Sequence, residues 1–207
     1  MIDALREKGW LVLSGPGSDR HFSVLIGQIE RDGAPLVRDV KVASAGCGGN
    51  LLAHEGKFEF HTDGVFWALP PRWLCIQVLK AEAGGALHVL DLRPLATQLD
   101  IGLIYFGNSA HRLLAPVVDC FRGSKYVRYR RDYMTVEEGA STNLLDSAHV
   151  AFAEYAAASS HCIGELGQQD FLFLDNWNYA HCRDAFSGQR VIRRMWFGGS
   201  ESSGAPL

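Results

Sequence analysis

Residues 73–91 read WLCIQVLKAEAGGALHVLD, two short apolar runs parted by Gly84 and Gly85 and closed by Asp91. Apolar runs this short, bounded by Gly, Pro or Asp, are the punctuation of strands and not of helices. WLVLSG at 10–15 and DFLFLD at 170–175 repeat the pattern, and RVIRRMWF at 190–197 alternates as a strand does. A mainly β framework follows. Two segments break it: 18–30, where Ser18 is placed to cap an amphipathic helix, and 143–158, with alanine-rich helical spacing. A shorter helical signal covers 92–99. No regular βα alternation is present. The elements therefore point to a double sheet of the jelly-roll or cupin-like kind with flanking α-helices, not to a parallel α/β fold.

The chain has 207 residues, 47% of them apolar and 21% charged, which suits one globular domain, expected over 1–197. GGSESSGAPL at 198–207 is small and polar and is expected to be a loose tail. Twenty Lys and Arg against 23 Asp and Glu leave a net charge of −3, so no broad positive field is available for nucleic acid. No apolar stretch approaches the ~18 residues of a membrane span, and the N-terminus lacks a signal-peptide pattern. Cys47, Cys75, Cys120, Cys162 and Cys182 are odd in number, scattered and without a CxxC pair, as expected of free thiols in a reducing cytoplasm.

FEFHTD at 58–63 carries the first chemical signal. On a strand Glu59, His61 and Asp63 point one way while Phe58, Phe60 and Thr62 point the other, so an imidazole and a carboxylate converge about 7 Å apart at the Cα level. A metal held by these two needs a third ligand, most often a neutral imidazole. His181, just past the buried-looking run FLFLDNWNYA, is the candidate. Two His and one carboxylate on one side of a metal form the facial triad of non-haem Fe(II) oxygenases. An HxD triplet by itself is a frequent accident. His21, His54, His111, His149 and His161 fall in helix or loop contexts and read as solvated; His88 alternates within ALHVLD.

The second signal is QRVIRRMWF at 189–197. Arg190, Ile192, Arg194 and Trp196 share one strand face by parity. A guanidinium on an apolar face is costly to bury unless an anion meets it, and Arg suits a planar carboxylate gripped from a fixed direction. The anion is either a bound dicarboxylate or an internal partner such as Asp175 or Asp184.

With these residues in view, 61–92 (HTDGVFWALPPRWLCIQVLKAEAGGALHVLDL) and 171–197 (FLFLDNWNYAHCRDAFSGQRVIRRMWF) resemble the TauD/TfdA and clavaminate-synthase-like branch of the Fe(II)/2-oxoglutarate-dependent oxygenases. The match spans roughly 58–94 and 167–197, in the order HTDG, PP, GG, DN, H, R, AF, R, R, W. The resemblance implies a double-stranded β-helix, a jelly-roll variant. It implies that His61, Asp63 and His181 hold iron, that Arg194 binds the distal carboxylate of 2-oxoglutarate, and that Arg190 is a second arginine of that strand. The implied enzyme is a dioxygenase that uses O2 to oxidise an unactivated C–H bond, most simply by hydroxylation, with release of succinate and CO2. Its substrate would be a small molecule such as an amino acid or natural-product intermediate. A carboxylate at Asp63 disfavours chlorination.

Some positions depart from the family. After Gly84, Gly85 and Ala86 the chain has Leu87 where a threonine hydroxyl usually assists the cosubstrate, and leucine cannot donate. Gln168 and Gln169 replace a Pro-Gly turn. Asp63 and His181 are only 118 positions apart, so less lid is available and the substrate site is expected to be open or completed by a second subunit. Cys182 should point away from the iron, as a core residue. Phe66, Trp67 and Trp73 either line a pocket or fill the core. Tyr126, Arg128 and Arg130 share a strand face on which Arg128, or Asp132 beyond it, either anchors a substrate or is solvated. Two rival readings stay open: a protein side-chain hydroxylase, and a non-oxygenase cupin-like metal-binding protein.

Overall fold

The structure is a computed structural model that describes residues 1–43, 56–80, 83–107, 112–137 and 141–200. Its strands are β1 (Trp10–Leu13), β2 (Leu36–Ala43), β3 (Phe58–His61), β4 (Trp73–Lys80), β5 (Leu87–Asp91), β6 (Leu103–Gly107) and β7 (Arg112–Pro116). Then come β8 (Val118–Phe121), β9 (Ser124–Val127), β10 (Met134–Thr135), β11 (His161–Gly164), β12 (Phe171–Asp175), β13 (Tyr179–Arg183) and β14 (Val191–Phe197). Helices α1 (Ile2–Lys8), α2 (Ser18–Arg31), α3 (Ala96–Leu99) and α4 (Asn143–Ser159) complete the described elements, with short 3-10 turns at Arg93–Leu95 and Arg131–Tyr133. The molecule is thus mainly antiparallel β, as its apolar runs predict.

The strands form a five-stranded sheet in the order β1-β12-β4-β14-β2 and a four-stranded sheet in the order β11-β5-β13-β3. Smaller β10-β6-β7 and β8-β9 sheets sit beside them. Strand parity divides the five-stranded sheet between two cores. Trp73, Cys75, Phe171, Phe173, Met195 and Phe197 pack with Leu5, Leu25 and Ile29 of the helices. Their alternates Leu74, Ile76, Leu172, Leu174, Ile192 and Trp196 meet Leu87, Val89 and Tyr179 of the four-stranded sheet. A strand covered on both faces needs no polar alternation, which is why FLFLD reads as a continuous apolar run with every residue buried. The outer face of the four-stranded sheet, through Leu90 and Ala180, packs on Leu145, Ala148, Phe152 and Ala156, the apolar stripe of α4.

Several local expectations shift. Gly17, with φ +88°, is the N-cap of α2; Ser18 lies inside the helix, buried and making no capping bond. The 92–99 signal resolves into a 3-10 turn followed by a single α-turn. Gly198 and Ser200, placed in the expected tail, pair with the main chain: Gly198 N–H donates to Pro35 O (3.0 Å), and Ser200 and Leu69 exchange bonds of 2.9 and 3.2 Å. Residues 201–207, Cys47, His54 and His111 lie outside the described residues. Cys75, Cys120, Cys162 and Cys182 are free thiols. Among the described residues no helix is long and apolar enough to cross a membrane.

Candidate metal centre

Strands β3 and β13 are antiparallel neighbours with His61 directly opposite His181, so both imidazoles leave the same face, toward the space between the two large sheets. Their ring centroids are 4.2 Å apart. Asp63 lies two residues past His61, just beyond the strand end, and its main chain is held on both sides. The buried Asn176 carboxamide donates to Asp63 O (3.0 Å) and Pro71 O (2.8 Å) and accepts the Asp63 N–H (2.7 Å). Thr62 N–H donates to Tyr129 O (2.7 Å), and Tyr129 N–H returns a bond to Thr62 Oγ1 (3.0 Å). The HTD segment is thereby locked against β13 and the chain around Tyr129.

Asp63 Oδ1 consequently sits 3.2 Å from His61 Nε2 and 3.9 Å from His181 Nε2. The three side chains are buried, and one ligand atom from each lies within 4.8 Å of the others. From β14, Arg194 approaches the same point: Nη1 donates to Asp63 Oδ1 (3.3 Å) and Nη2 to His181 Nε2 (3.1 Å). Trp196 Nε1 donates to the other carboxylate oxygen, Asp63 Oδ2, at 2.7 Å. The anion that meets Arg194 is therefore Asp63. Asp184 pairs with His88 (2.8 Å), and Asp175 accepts from Trp177 N–H (3.2 Å) and Asn178 (2.9 Å).

Charge states follow from this packing. Burial pushes the Asp63 carboxyl up, but the charge of the adjoining Arg194 guanidinium overrides it and holds the acid well below the usual range. Burial lowers His61 despite Asp63, and burial reinforced by His61 lowers His181 much further. Both imidazoles are neutral at pH 7, the form that ligates metals. His61 Nδ1 donates to Glu59 O (2.9 Å), which leaves the lone pair on Nε2; that nitrogen is buried without a hydrogen-bond partner. His181 Nε2 accepts from Arg194, so its lone pair also faces the centre. Two neutral imidazole nitrogens and one carboxylate oxygen, already approached by a guanidinium cation, fit a divalent transition-metal ion.

A cavity adjoins this point, lined by His181, Arg183, Arg190 and Arg194 with apolar walls from Val42, Ile76, Leu87 and Ile192. Arg190 is buried, donates to Gly85 O (3.2 Å) and lies against Phe186. A Cβ on Gly85 would sit 2.3 Å from the Arg190 guanidinium, so the glycine makes room for it. Burial first, then mutual repulsion, lowers Arg190; the same causes bring Arg183 down to about 10. Three guanidinia thus crowd one apolar-walled hollow beside the triad, with Arg183 also donating to Asp184 O (2.8 Å) and Gly56 O (3.0 Å).

Other expectations resolve differently. Arg128 is neither solvated nor free to anchor a ligand: it is 1% exposed and donates to the carbonyls of Val65 (3.0 Å), Trp67 (2.7 Å) and Ala68 (3.0 Å), shaping the turn after Asp63. Asp132 is exposed beside Arg130. Trp67 and Trp73 fill the two cores. His149 is half-buried against the Tyr129 hydroxyl (3.1 Å), where a solvated histidine was expected. Cys182 faces away from the triad, toward the outer face of the sheet, and burial lifts its thiol to about 12. Sequence reasoning assigned no role to Asn176 or Trp196. The DN pair and the closing W were visible, but an asparagine after a strand reads as a turn former and a tryptophan in a strand as core.

No family model matches the chain, and no curated protein matches it. Solved structures do. Asparagine oxygenase in complex with Fe(II), 2S,3S-3-hydroxyasparagine and succinate superposes with a TM-score of 0.58 at 17% identity, over 70% of this chain and 50% of that one. The non-heme iron oxygenase OrfP in complex with Fe and alpha-ketoglutaric acid gives 0.51 at 21%, over 67% and 48%. The chain shares its fold with non-haem iron oxygenases. It spans about half the length of asparagine oxygenase and OrfP. The PvcB protein from Pseudomonas aeruginosa aligns over 98% of this chain and 79% of its own, with a TM-score of 0.61 at 17% identity.

Proposed function

We propose that this chain is an Fe(II)- and 2-oxoglutarate-dependent dioxygenase of double-stranded β-helix, jelly-roll type that oxidises a C–H bond of a small molecule. His61, Asp63 and His181 would hold the iron, and Arg194, with Arg190 beside it, would receive the distal carboxylate of 2-oxoglutarate. The observation that carries the reading is the convergence of three buried donors from two facing positions of one sheet with an arginine of the other sheet. Iron bound there would supply the oxygen chemistry that couples conversion of 2-oxoglutarate to succinate and CO2 with oxidation of the substrate.

The chain's own residues define the rest. Charge is balanced in the cluster as it stands, since Asp63 and Arg194 offset each other and both imidazoles are neutral. A divalent cation and a dianion entering together preserve that balance, which a cation alone would not. Arg194 contacts the same lone pairs that a metal needs, so it would turn toward the neighbouring cavity when one binds, where Arg183 and Arg190 also line the wall. Leu87, Ile76 and Ile192 give this anion an apolar sleeve in place of a hydroxyl, excluding water and strengthening the arginine contact. The Asn176 and Thr62 bonds keep Asp63 in place while Arg194 moves.

An amino acid is the substrate class that the neighbours favour, since asparagine oxygenase was solved with a hydroxyasparagine and OrfP with (3S)-hydroxy-L-Arg. Succinate release measured with Fe(II), 2-oxoglutarate and O2 against a panel of free amino acids tests the proposal. Acceleration by a member of the panel, with formation of its hydroxylated product, is expected. Arg194→Leu should weaken 2-oxoglutarate at least about tenfold more than it weakens the metal. Equal loss of both would make Arg194 a purely structural residue.

A further inference from the structure

Asp63 is the only carboxylate of the triad, and its two oxygens have different neighbours. Oδ1 faces both imidazoles, at 3.2 and 3.9 Å, and Arg194 at 3.3 Å. Oδ2 accepts a hydrogen bond from Trp196 Nε1 at 2.7 Å. The donor is firmly seated: Trp196 is 8% exposed, lies two residues beyond Arg194 on the same inward face of β14, and packs with Trp67 at a ring-centroid distance of 6.2 Å in the inter-sheet core. An indole N–H donates only, carries no charge and has no lone pair to offer a metal. It holds one carboxylate oxygen without competing for the ion, a task that neither Arg194 nor an ionisable donor could perform in the same way.

A divalent ion takes one or both oxygens of a carboxylate, according to what else those oxygens bind. With both oxygens engaged, Asp63 would fill a coordination position that the proposed cosubstrate requires. We propose that Trp196 is a positioning residue: its indole N–H retains Asp63 Oδ2, so that Asp63 ligates through Oδ1 alone and the metal keeps a position open for 2-oxoglutarate. This rests on the metal-site reading given above. It goes beyond that reading by assigning the ligation mode to one buried hydrogen bond.

The test compares wild type with Trp196→Phe, which keeps an aromatic filler and removes the donor, under anaerobic conditions with Co(II) as the probe metal. Co(II) affinity should change by no more than about threefold, while the affinity of the Co(II)-loaded protein for 2-oxoglutarate falls by about 10-fold or more, the order expected for loss of one hydrogen bond to a charged group. In the infrared difference spectrum of protein labelled with 13C-aspartate, the two carboxylate stretches should be widely split on Co(II) binding in wild type and move together in the variant. Unchanged 2-oxoglutarate affinity in the variant, or parallel loss of Co(II) and 2-oxoglutarate binding with the thermal midpoint, would overturn the role of Trp196 alone. Should Trp196→Phe fail to fold, the wild-type spectrum decides, because closely spaced stretches there would mean two-oxygen ligation and defeat the proposal. Wild type that binds Co(II) but not 2-oxoglutarate would defeat the proposed function and leave the ligation mode to be read from the spectrum. Wild type that binds no Co(II) would defeat both.

Discussion

At the residue scale the centre depends on side chains that never touch a ligand. Asn176 fixes both main-chain polar groups of Asp63 and a carbonyl of the Pro70–Pro71 turn, three buried bonds from one carboxamide. Removing such a partner leaves buried donors and acceptors unmet, at about 1–3 kcal/mol for each group. Asn176→Ala should therefore lower divalent-metal affinity by about 10- to 100-fold, read by competition with a chelator, and lower the thermal midpoint as well. Retention of wild-type metal affinity would show that Thr62 and β3 position Asp63 unaided. The convergence of the three side chains was legible in the sequence, because strand parity puts His61 and Asp63 on one side and the buried-looking run FLFLDNWNYA before His181 made it the third candidate, which the resemblance implies as well. Asn176 and Trp196 were not. Their roles depend on which remote carbonyl or carboxylate folds against them, and 113 positions separate Asn176 from Asp63. Arg128 shows the same limit. Its local surroundings, KYVRYRRD, read as a solvated basic strand, and only the distant carbonyls of Val65, Trp67 and Ala68 account for its burial.

At the element scale β14 joins the site to the surface. Arg194 and Trp196 point inward while the intervening face carries Arg193, whose guanidinium forks onto Asp39 of β2, with Nε to Oδ1 at 2.9 Å and Nη2 to Oδ2 at 2.6 Å. Arg193, by its hydrogen bonds and charge, holds the Asp39 carboxyl below the ordinary value against a weak opposing effect of burial. A carboxyl depressed in the folded state stabilises above its unfolded pKa, and that stabilisation is lost as pH falls through the folded value. Asp39→Asn should thus lower the thermal midpoint slightly at pH 7, since the pair is about a third exposed, and the difference from wild type should shrink as pH falls below the ordinary carboxylate range. A gap that persists at low pH would assign the effect to packing. Period-two alternation, Gly and Pro boundaries and the alanine-rich stretch of α4 made the main strands and both long helices readable. The small β10-β6-β7 sheet and β8 went unread: β7 and β8 are short and half-exposed, and β6 was passed over although it carries the apolar run LIYF, so that of these two sheets only β9, within the strand expected around Tyr126, was anticipated.

At the scale of the whole molecule, two sheets that share one core place the His61, Asp63 and His181 cluster at one and Arg194 on the other, so the cluster exists only when the layers are assembled. That arrangement explains why short apolar runs and a few polar exceptions sufficed to anticipate a mainly antiparallel β fold with flanking helices. Each polar residue on an inward face had to be met by something, and in the folded chain the exceptions meet one another. The central claim is that Fe(II) and 2-oxoglutarate bind together at His61, Asp63, His181 and Arg194. Anaerobic titration of the protein with Fe(II) and 2-oxoglutarate, followed in the visible, tests it most directly. A weak charge-transfer band of the metal–keto-acid chelate is predicted, saturating at one equivalent and lost in His181→Ala. No band in wild type, or an undiminished band in His181→Ala, would contradict it.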